Sequence, residues 1–89
     1  MNIRQIIVKV FQEILAEENI ELQEEIDDET VLLSTGLDSL GFAILVTRLE
    51  LELGYDPFVL MDDPVYPRTF GEFIKFYESY KHHASNTKI

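Results

Sequence analysis

Few side chains in this 89-residue chain have the type and spacing for chemistry. The string Gly36-Leu37-Asp38-Ser39-Leu40 sets a hydroxyl beside a carboxylate, just ahead of a strongly apolar run. A serine so placed can act as a nucleophile, accept a transferred group, or only cap a helix, as Asp and Ser often do. Ser39 and Gly41 make half of a Gly-x-Ser-x-Gly elbow, but Leu37 fills the first glycine position and no strand leads into the serine. The only histidines, His82 and His83, lie in a basic tail, so a Ser-His-acid hydrolase is not expected. Asp27-Asp28-Glu29 and Asp62-Asp63 would attract a divalent cation. Neither has the alternating oxygen ligands, mid-loop glycine and closing glutamate of an EF-hand, so both read as solvated acidic surface. Adjacent histidines point about 100° apart on a helix, so no metal site is expected there either.

These residues need elements to hold them. Ile3, Ile6, Ile7, Val10, Phe11, Ile14 and Leu15 form one helical stripe, with Arg4, Gln5, Lys9, Gln12 and Glu13 on the wet side, predicting a helix from Asn2 to Glu18. A long connection, Asn19 to Leu37, follows. It carries too many apolar residues for a loose loop, so Leu32, Leu33 and Leu37 are expected to be buried. The second helix opens at Asp38 or Ser39 with Asp38 as cap. It turns Phe42, Leu45, Val46, Leu49 and Leu53 inward and stops at Gly54. Pro57, Pro64 and Pro67 keep any helix between Tyr55 and Arg68 short. Thr69-Phe70-Gly71-Glu72 is a capping box for a last helix that buries Phe70, Phe73, Ile74 and Tyr77, with Lys81-His82-His83 at its C-terminal end. The fold class is therefore all-α: a small antiparallel four-helix-type bundle of three main helices and a short third one, with a long first loop. One domain, residues 1–83, is expected, followed by a frayed tail over residues 84–89.

Composition narrows the function. A chain of this length buries only about 60 to 65% of its unfolded surface, enough for one core but not for a deep enclosed active site. Seventeen acidic against seven basic residues give a net charge of −10. That charge argues against nucleic acid and anionic membranes as partners and favours basic protein surfaces. Glu17, Glu18, Glu21, Glu24, Glu25, Asp27, Asp28 and Glu29 concentrate the acid in one stretch without a basic residue. The absence of cysteine excludes a disulfide framework, a thiolate zinc site and a thiol nucleophile. No apolar run approaches the roughly 18 residues of a bilayer span, and no targeting segment is evident, so a cytoplasmic monomer is expected.

From the first helix through the long loop, Gly36-Leu37-Asp38-Ser39-Leu40, the second helix, a short third element and a last helix opening at Thr69-Phe70, the chain resembles the acyl carrier proteins and their peptidyl carrier relatives. The resemblance implies that Ser39 is esterified with 4′-phosphopantetheine, taken from coenzyme A by a phosphopantetheinyl transferase. It further implies that Asp38 helps position metal-bound coenzyme A during that transfer. The cofactor-binding set is then Ser39, Asp38 and Leu40, with Leu37 and Leu40 anchoring the turn so that the serine is held outward. No catalytic residue and no metal of the protein's own is expected: loading and downstream biosynthetic enzymes would act on the thioester. A chain without a thiol needs one delivered if it is to hold acyl groups, and a phosphodiester on Ser39 would sit where a helix N-terminus favours negative charge.

The chain departs from that family's habit of acidic residues two and five positions after the serine, since Gly41 and Ile44 stand there. Leu40, Ile44, Thr47, Arg48 and Leu51 share one side of the second helix, offset from the core stripe. This side either packs against the short third segment or docks partners through apolar contact, which points to a carrier of a specialised pathway (fatty acid, polyketide, nonribosomal peptide or other). The interior lined by Phe42, Leu45, Val46, Phe70 and Phe73 reads first as packed core and second as shelter for a short acyl chain. The alternative function is an acidic helical protein-interaction adaptor with no prosthetic group, in which Ser39 is only a cap.

Overall fold

The structure is a computed structural model that describes residues 2–22, 25–62 and 66–82. Among these described residues four α-helices form in the order the hydropathy pattern sets: α1 Ile3–Glu17, α2 Ser39–Leu53, α3 Pro57–Leu60 and α4 Phe70–Ser79. The chain is an all-α bundle, with no strand among the described residues; a 3₁₀ turn, Leu32–Ser34, interrupts the first loop. The expected tail over residues 84–89 lies outside the described residues, as do His83 and Asp63.

α1 packs against both α2 and α4. Its stripe supplies Ile7, Val10, Phe11, Ile14 and Leu15 to the core, where they meet Leu45 and Leu49 of α2 and Phe70, Phe73, Ile74 and Tyr77 of α4. Phe11 and Phe70 rings lie 5.4 Å apart, and Phe73 and Tyr77 rings 4.9 Å apart, so aromatic contact closes much of the interior. Among the described residues fourteen apolar side chains are buried, and each large one stabilises the bundle by roughly 1.5–3 kcal/mol before chain entropy is set against it. Ile3, Ile6, Phe42 and Leu53 are only half-buried, because they flank this core instead of filling it.

The long loop is tied down by backbone hydrogen bonds to the start of α4. Leu32 N–H donates to the Arg68 carbonyl (2.9 Å), Phe70 N–H to that of Thr30 (2.7 Å) and Gly71 N–H to that of Asp28 (2.9 Å). The Arg4–Asp28 ion pair (2.8 Å) holds the same loop to α1. Leu32 and Leu37 are buried as expected, but Leu33 is 59% exposed. The tight 3₁₀ turn rotates consecutive side chains apart, so inward Leu32 leaves Leu33 facing solvent. α4 ends at Ser79, before Lys81 and His82, so those two residues follow the helix and do not close its last turn.

Candidate functional site

The turn into α2 is built from Gly36, Leu37 and Asp38. Gly36 adopts φ 101°, a left-handed conformation that side chains disfavour, and so redirects the loop into the helix. Leu37 then plunges into the core, 2% exposed, and fixes the turn from below. Asp38 is extended (φ −93°, ψ −176°), and its Oδ1 accepts the Gly41 N–H at 2.7 Å, while its carbonyl accepts the Phe42 N–H at 2.9 Å. Capping is thus done by Asp38. Ser39 is the first helical residue, exposed, and its hydroxyl makes no hydrogen bond among the described residues. The N–H groups of Ser39 and Leu40 are likewise left without an acceptor, giving the serine a locally positive setting.

Leu40 corrects an expectation. It is 68% exposed and does not anchor the turn; Leu37 does that alone. Leu37 lies ahead of the Asp38 cap, outside the helix, and turns inward on its own, whereas Leu40 stands in the first turn of α2 on a side away from the core residues Leu45 and Leu49. The side of α2 below it is open too: Ile44 and Thr47 are exposed and Leu51 is 82% exposed. α3, only four residues long, packs Phe58 on Phe42 (ring centroids 6.0 Å) and leaves this side uncovered. Arg48 differs from its neighbours. Its guanidinium pairs with Glu13 and lies 3.7 Å from Glu17, so it straps α2 to α1.

A cleft of about 300 Å³ opens beside Ser39. Phe42 and Phe58 border it from the helices, Val31, Leu32 and Leu33 from the long loop, and Tyr66, Pro67 and Arg68 from the segment before α4. Of the five residues expected to line an acyl shelter, only Phe42 touches this cleft; Leu45, Phe70 and Phe73 are fully packed. The interior between α2 and α4 is core, and the open space lies toward the loop. Sequence reasoning missed Leu33, Phe58, Tyr66 and Arg68 as neighbours of Ser39, because loop–helix hydrogen bonding, which no periodicity reports, brings them there. Among the described residues, no group of acidic or histidine side chains is placed to hold a metal ion, and no helix is long and apolar enough to cross a membrane.

The chain matches one family model, that of the phosphopantetheine attachment site, over residues 5–59. The match runs from α1 through α3, more than half of the chain, with Ser39 inside it. The chain belongs to the phosphopantetheine attachment site family. Members of this family are carrier proteins that bind 4′-phosphopantetheine covalently. No curated protein and no solved structure matches the chain significantly. The residues present fit the group: a free hydroxyl to esterify, two unaccepted N–H groups beside it for a phosphodiester, and no cysteine to compete as the acyl-bearing thiol.

Proposed function

We propose that Ser39 carries the phosphopantetheine arm and that the protein is a free-standing carrier of acyl or aminoacyl groups in a dedicated biosynthetic pathway. The observation that supports it most is the division of labour at the turn: Asp38 caps α2, so Ser39 is left with no structural task and an exposed hydroxyl. The same division weakens the adaptor reading, in which Ser39 is only a cap. When attached, the arm supplies the thiol on which cargo is held as a thioester.

What this chain's own residues do follows from the turn. Leu37 and Asp38 hold the Ser39 hydroxyl outward, where a transferase can reach it. In the transfer, Ser39 Oγ would bond to the pantetheine-bearing phosphorus of coenzyme A's diphosphate as the bond from that phosphorus to the nucleotide's phosphate breaks, the adenine nucleotide leaving and the serine proton passing to a base of the transferase. Asp38, fixed as a cap and still exposed, can meet the transferase-bound metal with its second oxygen. The carrier itself performs no reaction.

Partners dock on Leu40, Ile44 and Thr47, exposed on a stretch of α2 without an acidic residue from position 39 to 48, and on Leu51 farther along the same side, between Glu50 and Glu52. Arg48 supports this face by holding α2 to α1. The chain works as a cytoplasmic monomer, its carrier domain spanning residues 1–83. Incubation with coenzyme A and a broad-specificity phosphopantetheinyl transferase should add the mass of one phosphopantetheine, and Ser39→Ala should abolish the gain. A folded protein that takes no modification would favour the adaptor.

A further inference from the structure

We propose that the cleft beside Ser39 receives the far end of a short acyl group that terminates in a carboxylate, and that Arg68 selects this cargo. The inference rests on the carrier reading of Ser39 and names its substrate class. Three observations carry it.

The first is size. At about 300 Å³ the cleft is at the bottom of the range for small-molecule sites. Behind it the rings of Phe42, Phe58 and Phe73 lie 5.7 to 6.3 Å apart and leave no tunnel for a long chain. The second is chemistry. Apolar and aromatic side chains dominate the lining, no described lining residue is acidic, and Arg68 brings the single full charge. The third is the state of that charge. Arg4 and Arg48 are engaged in ion pairs, whereas Arg68 forms no salt bridge among the described residues. Glu72 feels the positive charge of Arg68, but its carboxylate is already held by the backbone N–H groups of Arg68 and Thr69.

On a chain of net charge −10, an anionic cargo is repelled over most of the surface. Beside Ser39, the cleft sets a cation that forms no salt bridge among the described residues against an apolar lining. The phosphodiester of the arm is the competing anion. It would be bonded to Ser39 itself, next to the unaccepted N–H groups of Ser39 and Leu40, and has no need of Arg68. The exposed phenol of Tyr66, on the same side of the cleft as Arg68, offers a second donor to a carboxylate.

The test compares two cargoes of equal chain length, hexanoyl and adipoyl, which differ by the terminal carboxylate. Each is loaded on the holo forms of the wild type, Arg68→Gln and Arg68→Lys, and release by neutral hydroxylamine is timed. Arg68 is exposed and forms no salt bridge among the described residues, so both variants should keep the fold, checked by circular dichroism. Adipoyl should leave Arg68→Gln about two- to fivefold faster than the wild type, the range of an ion pair open to solvent, with Arg68→Lys recovering most of the protection. Hexanoyl should leave all three at one rate. Equal adipoyl release from all three overturns the proposal. So does a phosphorus NMR shift in the unloaded holo protein that moves on Arg68→Gln without any change in adipoyl release, because the guanidinium would then be holding the arm's phosphodiester. Failure of Ser39 to accept the arm is seen earlier, by intact mass, and overturns the carrier reading itself.

Discussion

Gly41 accounts for one departure of this chain from the acidic pattern that carriers usually show after the attachment serine. A Cβ at position 41 would lie 2.6 Å from Leu37 Cδ1 and 3.3 Å from Asp38 Oδ1. Leu37 cannot move away freely, since it is buried and pins the turn that presents Ser39. A side chain at position 41 therefore competes with the anchor of the site. Gly41→Ala should lower stability by about 1–3 kcal/mol, the usual range for overpacking, read as a lower urea midpoint; an unchanged midpoint contradicts this account. The Asp38 cap was legible in the sequence because an acceptor before an apolar helical run has a local meaning. The reason for Gly41 was not, because it depends on where the Leu37 side chain turns. Ser39 shows the same limit: its type and position are readable, but its freedom from hydrogen bonding is known only once Asp38 is seen to take the capping bond.

At the scale of elements, the stability of the loop beside the site depends on the start of α4. Thr69 Oγ1 accepts the Glu72 N–H (3.2 Å), and Glu72 Oε1 accepts from Thr69 (3.2 Å) and Arg68 (2.9 Å). These backbone donors, more than any other cause, hold the Glu72 carboxyl below its ordinary range. A carboxyl with a lowered folded-state pKa contributes stability above its unfolded value, and that contribution is lost as pH falls. The α4 start should thus weaken from about the ordinary 4.5 downward, and Glu72→Gln should flatten that part of the acid unfolding curve. Thr69→Ala should cost about 1 kcal/mol at neutral pH. The capping box of α4 is plain in Thr69-x-x-Glu72, and the stripe of α1 is plain in its spacing. The partner of the long loop is not. Val31 forms an isolated antiparallel bridge with Thr69, and such a pairing between distant segments leaves no periodic trace. That pairing also brings Arg68 and Tyr66 to the cleft, and the 3₁₀ turn that turns Leu33 outward is equally silent in the hydropathy pattern.

Across the whole molecule, charge and contact are divided between different surfaces. The acidic stretch from Glu17 to Glu29 lies in the end of α1 and the loop, whereas α2 from Ser39 to Arg48 has no acid. If the proposed partners dock as argued above, long-range attraction and the close fit at Ser39 are separate steps, the first weakened by salt and the second not. Ile44→Glu, at a position 36% exposed, should lower stability by about 1 kcal/mol and leave the protein folded, read from thermal unfolding. It should reduce modification by the transferase at least severalfold, and raised salt should not rescue it. Normal modification of the folded variant would remove the apolar side of α2 from the docking surface.

The central claim concerns one hydroxyl, and mass spectrometry can locate the arm on it. Trypsin cutting after Lys9 and Arg48 releases a peptide that holds Thr30, Ser34, Thr35, Ser39 and Thr47 together, so several hydroxyls compete in one measurement. After treatment with coenzyme A and transferase, fragmentation of this peptide should place a single phosphopantetheine on Ser39 and leave the other four unmodified. An arm on any of those four, or a folded protein whose peptide carries none, would contradict the account.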